Sequence, residues 1–198
     1  MVMYETNTFN LCSTRVKIST KSMLQEFHPC TLNYIQNVCF GRCCESSMGL
    51  SVVIHPLDNI DLISDKLQGI GYIKNNHIYP NIGNVCPFKN NKTHTCNIHE
   101  NKPMGCRFSP FTLTKSGTLI VRNRYRLLKC YCKEKDGKLP AYKSHAWSLI
   151  QIFGEPVYRS ICENIETGKG DFYVSITKTN LSILIGNTKI RNEKRITK

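Results

Sequence analysis

The chain has 198 residues, of which 40% are hydrophobic, with a formal charge of +13 and eleven cysteines. That length suits one domain, or one domain with an appended tail. No apolar run approaches the ~18–20 residues a membrane helix needs, and the N-terminal MVMYETNTFNLCSTRVK lacks the basic-then-apolar order of a secretory signal.

The expectation is therefore a soluble, cytoplasmic protein whose thiols stay reduced. An odd cysteine count fits a complete disulfide set poorly, so metal ligation is the favoured use and catalytic redox chemistry the second. The charge is an upper value, because a metal-bound cysteine is a thiolate.

Taken in chain order, residues 14–20 (TRVKIST) alternate as a strand does. Residues 30–44 hold the first cysteine group, and residues 50–54 (LSVVI) read as a short apolar strand. A helix is predicted over 56–68. Pro56 suits its first position, Asp58 and Asp61 the positive end of its dipole, and Gly69 its C-terminal stop. Residues 69–85, rich in Gly, Asn and Pro, read as a loop.

Two hairpins follow. One joins 86–88 to 95–99 across a polar turn, and the other joins 111–114 to 118–128 across Lys115-Ser116-Gly117. Residues 140–165 have helical spacing broken or kinked at Gly154 and Pro156. Residues 172–185 alternate like one or two strands, with a turn at Thr179-Asn180, and the basic end from 189 frays. The fold class is α+β, a small cysteine-rich core organised by metal, with short β-hairpins and flanking helices. An N-terminal extension (1–37) precedes a cysteine-cluster metal-binding domain (38–135), and a C-terminal helix and strands (136–198) pack on it.

Eight cysteines form the candidate ligand set: Cys39, Cys43, Cys44, Cys86, Cys96, Cys106, Cys130 and Cys132. Gly41 lets the first group turn sharply, and Cys86 and Cys96 bracket a hairpin. Zinc takes four thiolate or imidazole ligands, and an iron–sulfur cluster commonly takes four cysteines. Eight candidates allow one site with spares, or two sites. Adjacent Cys43 and Cys44 point apart on an extended chain, so they serve two centres, or one centre and the core. His94 and His99 flank Cys96 and could replace a thiolate; the preferred reading is that they are surface hairpin residues. Cys12 and Cys162 read as small buried hydrophobes, and Cys30 is undecided.

The run Cys86-Pro87-Phe88, then Thr95-Cys96-Asn97-Ile98-His99-Glu100-Asn101-Lys102-Pro103-Met104-Gly105-Cys106-Arg107-Phe108-Ser109-Pro110-Phe111, resembles one family pattern. It is that of the zinc- or iron-chelating cysteine-cluster proteins (CxxCxxCC, or YkgJ-like). Upstream, VCFGRCC, SVVIHP and LDNIDLISDKL stand in the family's order, and the resemblance covers residues 38–132. The chain departs from the pattern at three points. Gln36 stands near the place of the leading cysteine, Cys39 is one residue further from Cys43 than usual, and Lys102 replaces an arginine.

The resemblance implies metal binding, by an iron–sulfur cluster or by zinc. A similar cysteine cluster appears in flagellin lysine N-methylase, which raises redox or protein-modification roles. The chain carries no glycine-rich strand–turn–helix signature for a nucleotide or S-adenosylmethionine. Whether it is an enzyme is left open by the sequence.

Outside the cysteines the strongest feature is basic. From Lys102 to Lys143 there are eleven Lys/Arg against Glu134 and Asp136. Arg122, Arg124 and Arg126 alternate, which on a strand gives one basic face. Its functional reading is a surface for nucleic acid or an acidic protein on a zinc-stabilised module. Its plainer reading is a solvated strand face that offsets thiolate charge, and this is the preferred one.

Overall fold

The computed structural model describes residues 14–45, 52–123, 125 and 139–193, with side chains of the last helix up to residue 185. The fold is α+β. β1 (Thr14–Ile18) alternates as expected, so that Val16 and Ile18 are buried. A short turn of helix, α1 (Thr20–Met23), follows, capped by the Ser19 side chain. Then come β2 (Glu26–Phe27) and α2 (Leu32–Tyr34), which continues as a π-helical turn over Ile35–Cys39.

β3 (Val52–Val53) begins a second unit with α3 (Ile60–Leu67). The helix starts later than the composition suggests. Asn59, not Pro56, leads it, its side chain accepting from Leu62 N at 3.0 Å. Asp58 is used elsewhere: its carboxylate accepts from His55 N at 2.7 Å and from Met104 N at 2.8 Å.

The expected loop over 69–85 is largely a hairpin, β4 (Gly71–Lys74) and β5 (His77–Pro80). Asn75 and Asn76 both take positive φ, 49° and 58°, which is what a two-residue hairpin turn requires. Asparagine tolerates that backbone, so the residues read as loop formers are the turn itself. β3, β5 and β4 make one antiparallel sheet. α3 covers it, and Ile63, Leu67, Ile78, Val52 and Ile54 form its apolar core.

α4 (Met104–Arg107) leads into β6 (Phe111–Leu113) and β7 (Thr118–Val121), the second expected hairpin. β8 (Leu139–Pro140) pairs with β2. The helical spacing over 140–165 resolves into α5 (Ala141–Ser144), α6 (Ala146–Phe153) and α7 (Glu155–Glu166). Gly154, at φ 81°, separates the last two as its sequence position suggests.

β9 (Phe172–Ile176) is the first of the two strands expected over 172–185. The second expected strand is instead α8 (Lys178–Glu193), which runs through Thr179-Asn180. Thr177 starts it, its hydroxyl accepting from Asn180 N at 3.2 Å. The apolar side chains of 181–185 read equally well at either period, and packing decides: Ile183 and Leu184 are buried against the main core.

The larger sheet has the order β6-β7-β1-β9. β1 runs parallel to β7 and antiparallel to β9, so strands from the start, middle and end of the chain form one layer. Fully buried Ile18, Phe108, Phe111, Leu119, Leu149, Ile152, Ile161 and Leu184 fill the space between this sheet and α6, α7 and α8. Each such side chain contributes about 1.5–3 kcal/mol of burial. α4 joins the two cores: Met104 packs on the larger and Cys106 on the smaller.

Candidate metal centre

Three stretches of backbone bring the cysteines together. In the first, Phe40 and Gly41 both have left-handed backbones, at φ 53° and 58°, and turn the chain into a single 3-10 turn, Arg42–Cys44. A side chain at position 41 is barred twice over. Its φ is positive, and a Cβ there meets the His94 carbonyl oxygen at 2.3 Å. Glycine thus lets the 40–44 turn lie directly against the second stretch, and Phe40 stands edge-on to the His94 ring at 5.0 Å.

The second stretch starts where Cys86 N donates to Cys44 O at 3.0 Å, beside an antiparallel bridge between Glu45 and Val85. Lys89 bridges to Cys96, and Asn97 N donates to Phe88 O at 2.8 Å, which closes the expected 86–99 hairpin as a tight loop. The Lys89 ammonium is buried and ion-paired with Glu45, tying this loop to the first turn. The third stretch is α4. Cys106 N donates to Pro103 O at 2.7 Å, and Asp58 holds the start of the helix through Met104 N.

The thiols of these stretches act on one another. Burial pushes Cys106 up to about 12, and Cys86, Cys96 and Cys43 add to the rise while Lys102 opposes it. Burial raises Cys86 to about 11; the Phe88 N–H pulls the other way, Cys96 and Cys43 raise it, and the Lys89 N–H again lowers it. Burial also raises Cys96, with the Ile98 N–H and Lys102 opposing and Cys43 adding. Cys44 is raised first by its hydrogen bond with Cys43, then by burial and by Cys43, Cys86 and Cys106.

Cys30 presents surface to solvent, yet packing around its thiol raises it to about 11, followed by Cys43 and Cys39. The undecided cysteine of the sequence is thus within electrostatic reach of the first group. Cys39 is buried in the π-helical turn.

Buried thiols whose thiolate forms would repel one another stay protonated at neutral pH until a cation offsets the charge. Backbone N–H groups aimed at Cys86 and Cys96 sulfur stabilise the same thiolate form. Both features fit a soft metal bound through sulfur. As they stand, the His, Cys, Asp and Glu side chains of the described residues form no group of three or more able to hold an ion.

Three histidines lie near the cysteine stretches, and His94 Nδ1 is buried without a hydrogen-bond partner. His94 faces Phe40, His99 stacks on Trp147 at 6.3 Å, and His55 Nδ1 accepts from Leu57 N. Cys162 packs at the edge of the larger core, as its helical position suggests. Cys12, Cys130 and Cys132 lie outside the described residues.

The basic stripe changes character. β7 ends at Val121, and Arg122 is buried, its Nε donating to Phe111 O at 3.1 Å. It serves the hairpin backbone rather than an exposed strand face. Arg124 and Arg126 lie outside the described residues. Sequence reading placed Asp58 at the start of a helix but not on Met104 N, and it passed over the Lys89–Glu45 pair. A carboxylate just ahead of a helix was a signal for the former, whereas only the tertiary fold joins Glu45 to Lys89.

A family model, CxxCxxCC, described as "Putative zinc- or iron-chelating domain", matches residues 35–133. No curated protein matches the chain, and no solved structure does. Among the described residues no helix is long and apolar enough to cross a membrane.

Proposed function

The chain belongs to the CxxCxxCC family of zinc- or iron-chelating domains, and from that membership we propose that Cys43, Cys86, Cys96 and Cys106 hold its metal. The observation that carries the choice is packing: Cys86, Cys96 and Cys106 gather at the smaller core, and the bond from Cys86 N to Cys44 O at 3.0 Å sets the turn that holds Cys43 against them. Cys44 packs against the smaller core beside them and is the neighbour of the set. Cys30 and Cys39 border it through Cys43, and Cys130 and Cys132 remain proposed ligands of the same domain.

Bound metal supplies a multi-point cross-link, and as an iron–sulfur cluster it also supplies a one-electron carrier. The protein's own part is to gather and desolvate the thiols. Gly41 admits the first turn, the Lys89–Glu45 pair fastens it to the second loop, and Asp58 anchors α4. A reducing intracellular compartment suits such free thiols.

The test is anaerobic purification followed by measurement of zinc, iron and acid-labile sulfide per chain. Iron with matching sulfide assigns a cluster and an electron-carrying role, and zinc without sulfide assigns a structural site. Absence of both metals overturns the reading. Cys96→Ser and Cys106→Ser are expected to lose the metal, whereas Cys162→Ser retains it. Equal metal content in all three variants rejects the ligand assignment.

A further inference from the structure

The smaller sheet has one covered face and one open face. Side chains alternate along its strands, and α3 packs on the side that carries Val52, Ile73 and Ile78. The other side carries Tyr72, Lys74, His77 and Tyr79, with Tyr72 opposite Tyr79 and Lys74 opposite His77. Tyr72 and Tyr79 stack across the strands, their centroids 5.4 Å apart and their planes 19° from parallel. His77 continues the row at 6.2 Å from Tyr79, tilted by 32°. Its Nδ1 donates to the Asn75 carbonyl at 2.6 Å, which holds the ring in place. Tyr72 ends the row and is 48% exposed.

A stacked tyrosine pair by itself only ties a hairpin together. The charge around this one adds a second feature. Between Asp65 and Glu100 the chain has no acidic residue, while Lys66, Lys74 and Lys92 are exposed. Lys89, the other lysine of this run, is buried and paired with Glu45. Asp61 and Asp65 belong to α3, across the sheet from the rings. The open face is thus cationic and aromatic together. Exposed Asn75, Asn76, Asn81 and Asn84 stand in the turns beside it, and their amides both donate and accept.

We propose that this face binds single-stranded RNA, with an unpaired base stacked on the exposed side of Tyr72 and a phosphate at Lys74. Unpaired bases offer flat faces to tyrosine and histidine rings, and RNA presents such bases in its loops and single-stranded stretches. Lysine meets the phosphates between them, and the asparagine amides suit the donors and acceptors of base edges. A neutral sugar would use the rings but not the charge, and an acidic protein would use the charge but not the rings. The face lies in the same unit as the cysteines, and the proposal does not depend on which of them hold the metal.

The experiment uses the full chain as purified anaerobically and follows the anisotropy of a short fluorescein-labelled RNA, single-stranded or annealed to its complement. The single strand is expected to bind more tightly than the duplex, whose bases already stack on one another. Tyr72→Leu, which keeps an apolar side chain on the strand, is expected to bind about tenfold more weakly, the scale of one base–ring stack. Tyr72→Phe keeps the ring and stays near wild type. Lys74→Gln weakens binding and lowers the salt slope by about one. Tyr173→Leu, exposed on β9 of the larger sheet, leaves binding unchanged. Should Tyr72→Leu unfold at a lower temperature than wild type, Lys74→Gln, an exposed change outside both cores, carries the test. Failure of the wild-type chain to bind the single strand at low salt overturns the proposal. So does wild-type affinity in either Tyr72→Leu or Lys74→Gln. Equal binding of the duplex, or of poly-glutamate, marks a merely cationic surface or one for an acidic protein and also overturns it. Metal content is read separately, so the ligand assignment stands or falls on its own.

Discussion

Single residues decide whether the cysteine loops can meet. Gly41 has a left-handed backbone and no room for a Cβ against the His94 carbonyl. Gly41→Ala is expected to lower stability by about 2 kcal/mol or more, since the turn must open or the His94 loop must move. Denaturant unfolding of the metal-loaded chain checks this, and a change below about 0.5 kcal/mol would show that the close approach is not needed. The Lys89 side chain is 4% exposed, whereas Glu45 is 35% exposed. Glu45→Gln leaves a buried ammonium without its counter-ion, and a cost of about 1–2 kcal/mol is expected after allowing for the solvent at the glutamate. Lys89→Met in the same background should recover part of that loss, because a buried apolar side chain needs no partner.

His145 gives the residue scale a pH dependence. Its ring sits edge-on to Phe27 at 5.3 Å and Phe111 at 6.3 Å, and burial lowers its pKa from 6.5 to about 4. The unfolded chain takes up this proton below pH 6.5, while the folded chain does not until about pH 4. Its contribution is therefore complete above pH 6.5, declines as the pH falls towards 4, and declines no further below that. The slope in that window is about 1.4 kcal/mol per pH unit for one proton. His145→Leu should flatten the stability profile there, and an unchanged profile would contradict the buried neutral ring.

At the scale of elements, period alone separates strands from helices only when the run is long. β1 and the β6–β7 hairpin alternate clearly and are found where expected. The run over 181–185 is too short to show its period, and its apolar side chains serve a helix that caps the main core. The β4–β5 hairpin was concealed by its own turn, because Asn75-Asn76 looks like loop composition until both residues are seen at positive φ. Replacing Asn76 by Val, which resists that backbone, should destabilise the smaller sheet by about 1–2 kcal/mol. Replacing it by Gly should be close to neutral. Equal effects of the two substitutions, measured by thermal unfolding, would argue against a backbone cause.

For the whole molecule, two cores of different make-up share one chain. Among the described residues the larger is mainly aliphatic and aromatic, with Met23, Met104 and Cys162 its sulfur-bearing members and none of the eight candidate ligands in it. The smaller uses Cys86 as a buried member and Cys44, Cys96 and Cys106 at its margin, so part of its apolar packing is also its metal site. Chelation should therefore loosen the cores unequally. Amides of β3, β4, β5 and α3 are expected to lose protection in hydrogen exchange, whereas those of β1, β7 and β9 keep theirs. Uniform loss across both sheets would mean that the metal supports the fold globally.

Cysteine number and spacing, together with the run from Cys86 to Phe111, determined from the sequence alone that this is a metal-chelating cysteine-cluster protein of α+β class. Ligand chemistry is carried by residue type, and short-range turns are carried by local glycine, asparagine and proline, so both are written along the chain. Only the tertiary structure decided that β1 pairs with both β7 and β9, that Cys86 meets Cys44, and that Lys102 meets Trp147. It also withdrew Arg122 from the surface. These are meetings of residues distant in sequence, and no spacing records them, because they follow from how two apolar cores close on each other.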